Sequence, residues 1–346
     1  MSTIFFLLFL LSFTSSVLST KDDEIVLLKI KKQLGDPDIL QSWVKGFNFC
    51  DFITSTSLGY ASIGCTNTGR VSIIVMEMSS IVAPFPDAVC GLTELENFII
   101  FNMMGLYGPI PSCITKLYNL HQLIIIKTSL SGSVPSFYNH VNITEINLSV
   151  NHLSGTIPSS LSTLPNLKTL VLSSNYLTGT IPPGLVHGSF PTLVLSNNNL
   201  TGELPKCYGW VDFSVINLSN NRLSGDASFL FGEQKKTADI VLAYNDFEFD
   251  LSHVEFSDNL HALDLSHNNI FGKVPESFAT ADGLYSSNLS FNKLCGELPQ
   301  GGNMCRFDAS VFANNTCLFG NPPSPCFMSI ALAPAPAPVP VSEPPF

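Results

Sequence analysis

The sequence predicts an α/β fold: a right-handed solenoid of about ten stacked 24-residue repeats whose short strands form one concave parallel sheet, with a cap at each end. Three observations predict it. An asparagine recurs at Asn151, Asn175, Asn198, Asn221, Asn245, Asn268 and Asn292, in steps of 23 or 24 residues. A glycine follows four residues later at Gly155, Gly179, Gly202, Gly225, Gly272 and Gly296. Around both runs a fixed apolar pattern, as in Leu170-Val171-Leu172-Ser173-Ser174-Asn175-Tyr176-Leu177-Thr178-Gly179-Thr180-Ile181-Pro182.

A unit this small cannot hide its own apolar side chains, so units must stack, with the two leucines of Leu-x-Leu turned into a shared interior. Residues between them then alternate outward, because a strand has a side-chain period of two. The asparagine turns inward after the strand, where its amide can bond backbone groups of the bend that would otherwise be buried unpaired. Gly-x-Ile-Pro closes the bend and leads to the convex side, where proline favours extended or short 3₁₀ structure. Stepping back by one period places Thr128, then Met104 and then Ser79 at the asparagine position.

The ends read differently. Residues 1–19 carry an apolar run, Ile4 to Leu11, with Val17 and Ser19 at the −3 and −1 positions of a cleavage site, and are expected to be a secretory signal. The run falls short of the roughly 20 apolar residues of a membrane span. Residues 20–68 form an N-terminal cap, in which Leu27, Ile30 and Leu34 at helical spacing behind Asp22 and Asp23 predict a helix, with Trp43 shortly after. The repeats occupy 69–294, a cysteine-bearing C-terminal cap 295–326, and an Ala/Pro-rich tail 327–346, expected to be extended polyproline.

Composition narrows the function. With 27 acidic against 16 basic residues and a net charge of −11, the chain lacks the basic footprint of a nucleic-acid binder. No glycine-rich phosphate loop or nucleophile motif is present. His261, Asp264 and His267 are the one compact group of acid–base or metal-ligand type, but their spacing of three suits a helix, whereas the segment reads as strand. The reading is therefore a protein that is not an enzyme, needs no cofactor and binds no metal. Secretion permits disulfides among the nine cysteines. Cys113 and Cys207 hold equivalent positions four units apart, about 20 Å, beyond disulfide reach, and both read as small buried residues.

The plant-type 24-residue unit, Asp36-Pro37 ahead of Ser42-Trp43, the run Gly225-Asp226-Ala227-Ser228-Phe229-Leu230-Phe231-Gly232, and Asn292-Lys293-Leu294-Cys295-Gly296 before Gly301-Gly302 resemble the leucine-rich-repeat polygalacturonase-inhibiting proteins of plant cell walls. The resemblance covers roughly residues 22 to 326; a carrot antifreeze protein and several developmental proteins share these features. It implies a Cys295–Cys317 disulfide, and a second C-cap pair in which Cys326 lacks its usual partner, Phe319 standing there, with Cys305 as the substitute. The family's four N-cap cysteines are reduced to Cys50 and Cys65, which the resemblance implies are paired. In the family, recognition is by outward residues of the concave strands.

Those positions here include Lys127, Glu145, Lys168, Ser173, Asp239, Tyr244, Asp264 and His267. Asn142, Asn147, Asn199, Asn217, Asn288 and Asn314 head N-x-S/T glycan acceptor motifs. Asn147, Asn217 and Asn288 stand where the family commonly has aspartate, and a glycan on either of the first two would lie near the middle of the concave face. Serines two residues before the asparagines, Ser149, Ser173, Ser196, Ser219, Ser266 and Ser290, read as a solvated strand position; the alternative is a hydroxyl array that orders water and binds ice. The functional expectation is a secreted, monomeric binding protein of the extracellular space or cell wall. Its partner would be an extracellular protein, a fungal or insect polygalacturonase, which it inhibits in defence. The alternatives are an ice-interacting or structural wall protein, or a ligand-sensing partner of a receptor kinase.

Overall fold

The computed structural model describes residues 18–78 and 80–320. The expected signal segment, except for its last two residues, lies outside them, as do Ser79, Cys326 and the Ala/Pro-rich tail. The chain opens with the helix Lys21–Gln33, capped by Thr20, whose hydroxyl accepts from the Asp23 amide at 3.4 Å. Acids in its first turn and lysines in its last oppose the helix dipole favourably. Leu27 and Ile30 are fully buried against the first coils. Trp43 is buried too, edge-on to Phe49 and Phe52 at 5.5 Å each. This aromatic cluster gives the cap a small core of its own.

Among the described residues twelve strands make the concave sheet, in sequence order from Ile53–Thr56 through Gly59–Cys65 and Val71–Met78 to Ser286–Asn288. The first two pairings are antiparallel and the rest parallel. The repeats form the expected parallel sheet, and the cap adds an antiparallel hairpin at its edge, with Gly59 at φ 142° where a Cβ would collide with the Glu77 carbonyl. From Val71 onward each coil adds one short strand in register, so that Leu170, Leu193, Ile216, Ile240 and Leu263 form one buried row.

Each asparagine of the ladder joins two coils. Nδ2 of Asn175 donates to Leu172 O and Ser173 O of its own coil and to Leu148 O of the preceding one, at 2.9–3.2 Å. Its Oδ1 accepts from the Leu153 amide, also of the preceding coil. The same set recurs at Asn198, Asn245 and Asn292, and again at Asn315, beyond the last asparagine of the sequence ladder. One amide therefore satisfies four buried backbone groups, which a serine or alanine could not do. Further back, the structure corrects the register. Met103, fully buried, takes the inward place expected of Met104, which is 57% exposed. One extra residue in that bend shifts it.

A second parallel sheet, of eight strands among the described residues, lines the flank where the segments around Leu-x-Gly run, from Ala83–Pro84 to Asp246–Phe247. The convex side carries short 3₁₀ turns entered through proline, such as Ser112–Lys116, Ser159–Thr163 and Lys206–Trp210. Disulfides join Cys50 to Cys65, Cys90 to Cys113 and Cys295 to Cys317. Cys113 is thus not a free buried thiol: Cys90 stands one period before it, at the equivalent place of the adjacent coil, with Cα atoms 5.8 Å apart. Cys305 is disulfide-bonded as well, and Cys207 is a free, half-buried thiol. No helix among the described residues is long and apolar enough to cross a membrane.

Candidate recognition surface

The concave strands present two outward rows of half-buried side chains. One runs through Asn97, Gln122, Glu145, Thr169, Thr192, Val215, Asp239 and Ala262, the other through Val75, Ile99, Ile124, Asn147, Val171, Val194, Asn217, Val241, Asp264 and Asn288. The N-terminal part of this face is apolar, the C-terminal part polar and acidic. Glu145 accepts from the Gln122 amide at 2.9 Å. Burial raises its pKa above the ordinary carboxylate value, and the bond from Gln122 opposes that rise.

Five of the sequence-predicted residues, Lys127, Lys168, Ser173, Tyr244 and His267, are not on the strands. Lys127, Tyr244 and His267 each stand immediately before the ladder position, in left-handed backbone with φ 58°, 56° and 54°. They form the rim where the sheet turns over. Lys168 flanks the strand Thr169–Val171 at the opposite rim.

The serine row is corrected. Ser149, Ser196, Ser219, Ser266 and Ser290 are at most 7% exposed, so these hydroxyls are neither solvated nor available to ice; only Ser173 is half-exposed. Four of the buried serines are held by the side chain two residues earlier, while Ser196, which has Val194 at that place, is buried without such a partner. The Ser266 hydroxyl donates to Asp264 Oδ1 at 2.7 Å and its amide does so at 2.9 Å. Asn147, Asn217 and Asn288 bind Ser149, Ser219 and Ser290 in the same way. Asparagine thus replaces aspartate there without altering the local turn. Of the other acceptor motifs, Asn199 and Asn314 are exposed and the Asn142 amide donates to Tyr118 O.

Two features escaped the sequence reading. The rings of Tyr244, His267 and Phe291 form a face-to-face stack, with centroids 4.0 Å apart at each step and planes within 13°. His267 is thereby held between two rings, and His261 stacks on Tyr285 at the opposite rim, 5.9 Å away. The signal was present as an aromatic directly before Asn245, Asn268 and Asn292. The second feature is an exposed hydroxyl field on the flank sheet: Ser154, Thr156, Thr178, Thr180 and Thr201 point outward on adjacent strands. It lies in the Leu-Ser/Thr-Gly-x segments, which had been read only as bends.

Clefts of about 620 and 350 Å³ lie where the N-terminal cap meets the first coils, beside Lys29 and Asp87 and beside Gly35, Met78 and Val82, and another of about 480 Å³ lies beside Lys127, Val150 and Tyr176. The concave face is an open surface suited to a macromolecule. Among the described residues no group of three or more His, Cys, Asp or Glu is placed to hold a metal ion.

Fold, asparagine ladder and concave sheet together define a plant leucine-rich-repeat protein, and the chain belongs to that family. The Leucine Rich Repeat family matches residues 142–164, 166–187 and 259–281. A plant ice-binding protein of known structure superposes with a TM-score of 0.78 at 36% identity, covering 90% of this chain and 99% of that one. Within the class, the chain resembles polygalacturonase inhibitors. Polygalacturonase inhibitor 1 of Phaseolus vulgaris is 48% identical, and the polygalacturonase inhibitor of Vitis vinifera 46% identical, over 101 residues. That stretch is 29% of this chain and 30% of each relative, so the match spans under a third of their length.

Proposed function

We propose that this chain is a secreted, non-catalytic binding protein of the plant cell wall that inhibits polygalacturonases in defence, docking an extracellular enzyme on its concave sheet. The observation that carries the reading is the concave face itself: one continuous, rigid sheet with outward Glu145, Asp239 and Asp264 on its strands and Lys127, Lys168, Tyr244 and His267 on its rims. Its backbone is set by the sheet before contact, so binding carries no loop-ordering cost. The relatives named polygalacturonase inhibitor support the choice of partner, and the disulfides support an extracellular setting. Adding the purified full-length chain to fungal and insect polygalacturonases should slow pectin hydrolysis. No slowing across such a panel rejects the reading.

The exposed hydroxyl field on the flank sheet favours a second reading, ice binding, which the similarity to a plant ice-binding protein supports. A flat array of hydroxyls and methyls on strands about 4.8 Å apart is a regular template for ordered water. Asn199 lies on that field, in register with Thr178, so a glycan there would cover it. Replacing Thr156 and Thr178 by lysine should abolish inhibition of ice recrystallisation if this reading holds, and leave enzyme inhibition intact.

A further inference from the structure

We infer that the Tyr244–His267–Phe291 stack and the carboxylates beside it form the contact site for the partner, and that the partner is a folded protein presenting an arginine or lysine next to an apolar patch. This rests on the inhibitor reading above. The three rings stand in left-handed backbone, with φ of 54–56°. At this place the other coils carry Asn102, Lys127, Val150, Ser174, Asn197, Asn220 and Asn314, and asparagine takes that conformation most readily of these. Three consecutive aromatics there depart from local preference. Burial does not account for them, since Tyr244 remains 51% and Phe291 46% exposed. Such a departure without a gain to the core marks a functional surface.

Geometry selects the partner's class. A sugar ring stacks on an aromatic face, but both faces of His267 and one face each of Tyr244 and Phe291 are covered by their neighbours. What remains is one outer ring face at each end of the stack and, along it, a ridge of ring edges with the Tyr244 hydroxyl, a shape suited to an aromatic anchor in a protein interface. Charge selects the complement. Asp264 lies on the strand before His267 and Asp239 on the strand before that, and neither has a cation within ion-pair distance among the described residues. One oxygen of Asp264 is held by Ser266, which fixes the carboxylate in place.

The molecule supplies its own conservative variants for the test. Tyr244→Asn with Phe291→Asn copies Asn220 and Asn314, and Asp264→Asn copies Asn147, with its serine bonds intact. Full-length wild type and variants would be compared for thermal melting, for surface-plasmon binding to a fungal polygalacturonase at two salt concentrations, and for co-sedimentation with polygalacturonan. The double variant should bind the enzyme at least about tenfold more weakly with unchanged melting, and Asp264→Asn should flatten the salt dependence of the association rate. Unchanged enzyme affinity in both variants, or loss confined to polygalacturonan, overturns the site while leaving the inhibitor reading standing. If the wild type binds no enzyme of the panel, that reading fails and this inference with it.

Discussion

Asp23 and Arg70, 47 residues apart, are joined by two hydrogen bonds of 3.0 and 3.1 Å that tie the cap helix to the strand opening the parallel sheet. The same carboxylate accepts from the Val71 amide at 2.8 Å. Asp23 is 1% exposed, so the pair is cut off from water on the carboxylate side, and the hydrogen bond from Arg70 to Asp23 raises the Arg70 pKa. Arg70→Ala should therefore destabilise the cap by roughly 2–3 kcal/mol in denaturant unfolding, somewhat less than a fully buried pair because water reaches the arginine. A loss below about 0.5 kcal/mol would mean the pair is not what fastens the cap.

A sharp contrast is expected between a ladder asparagine and an asparagine at the left-handed position before the ladder. Asn245→Ala removes the partner of Leu223 N, Leu218 O, Leu242 O and Ala243 O, and should cost about 2–4 kcal/mol. Asn220→Gly, at an exposed position with φ 55°, should fall within about 0.5 kcal/mol of wild type. Urea midpoints for the two variants measure the difference directly.

Glu145 gives the acid side a specific signature. Its pKa is raised by burial, so at neutral pH the folded state holds an ionised group it disfavours relative to the unfolded chain. Stability from this group rises as pH falls through the folded pKa. Glu145→Gln should thus stabilise the protein at pH 7, and its advantage should vanish once the carboxylate is protonated in both states. Melting curves of the two proteins from pH 7 to pH 3 would expose a constant offset, which contradicts the assignment.

Glycan occupancy should divide along the geometry. Asn199 and Asn314, exposed, are expected to be modified; Asn147, Asn217 and Asn288, each locked to its serine between neighbouring strands, are not. Glycopeptide mass spectrometry on protein from plant tissue decides it. Modified Asn217 would obstruct the concave centre and count against docking there.

Removing the Cys90–Cys113 bond should cost about 3 kcal/mol, from the entropy of the 23-residue loop it closes. Cys207→Ser should be nearly silent by comparison. Denaturation of the Cys90→Ala, Cys113→Ala double variant against Cys207→Ser measures both.

Much of the fold was legible because period and side-chain type were locked together: leucines had to be inside and the asparagine had to bond the bend. Where the period slipped by one residue, at Met103, extrapolation from Gly108 chose the wrong methionine, since nothing in the sequence marks the extra residue. Cys90 and Cys113 were legible in principle, being one period apart; comparing Cys113 with the distant Cys207 hid the pairing. The candidate recognition surface was harder to read. Tyr244 and His267 were found as isolated outward residues, but the stack needs the left-handed bend that brings equivalent side chains of successive coils face to face, and that bend is a backbone property invisible in the residue names. The buried serines are hard to read for a related reason: strand alternation puts them outside, and the bond that covers Ser149, Ser219, Ser266 and Ser290 comes from the residue two before.

The ladder asparagines have one more consequence. Each reaches backward, so that Leu153 is completed by Asn175, Leu177 by Asn198 and Leu294 by Asn315. At the bends completion comes from the successor, whereas strand amides such as Lys168 and Thr192 bond back to carbonyls of the coil before. The bends therefore have a direction of their own: trimming from the front leaves the bend amides of the remaining coils bonded, whereas trimming from the rear strips the partner from each bend in turn, like a run in knitted fabric.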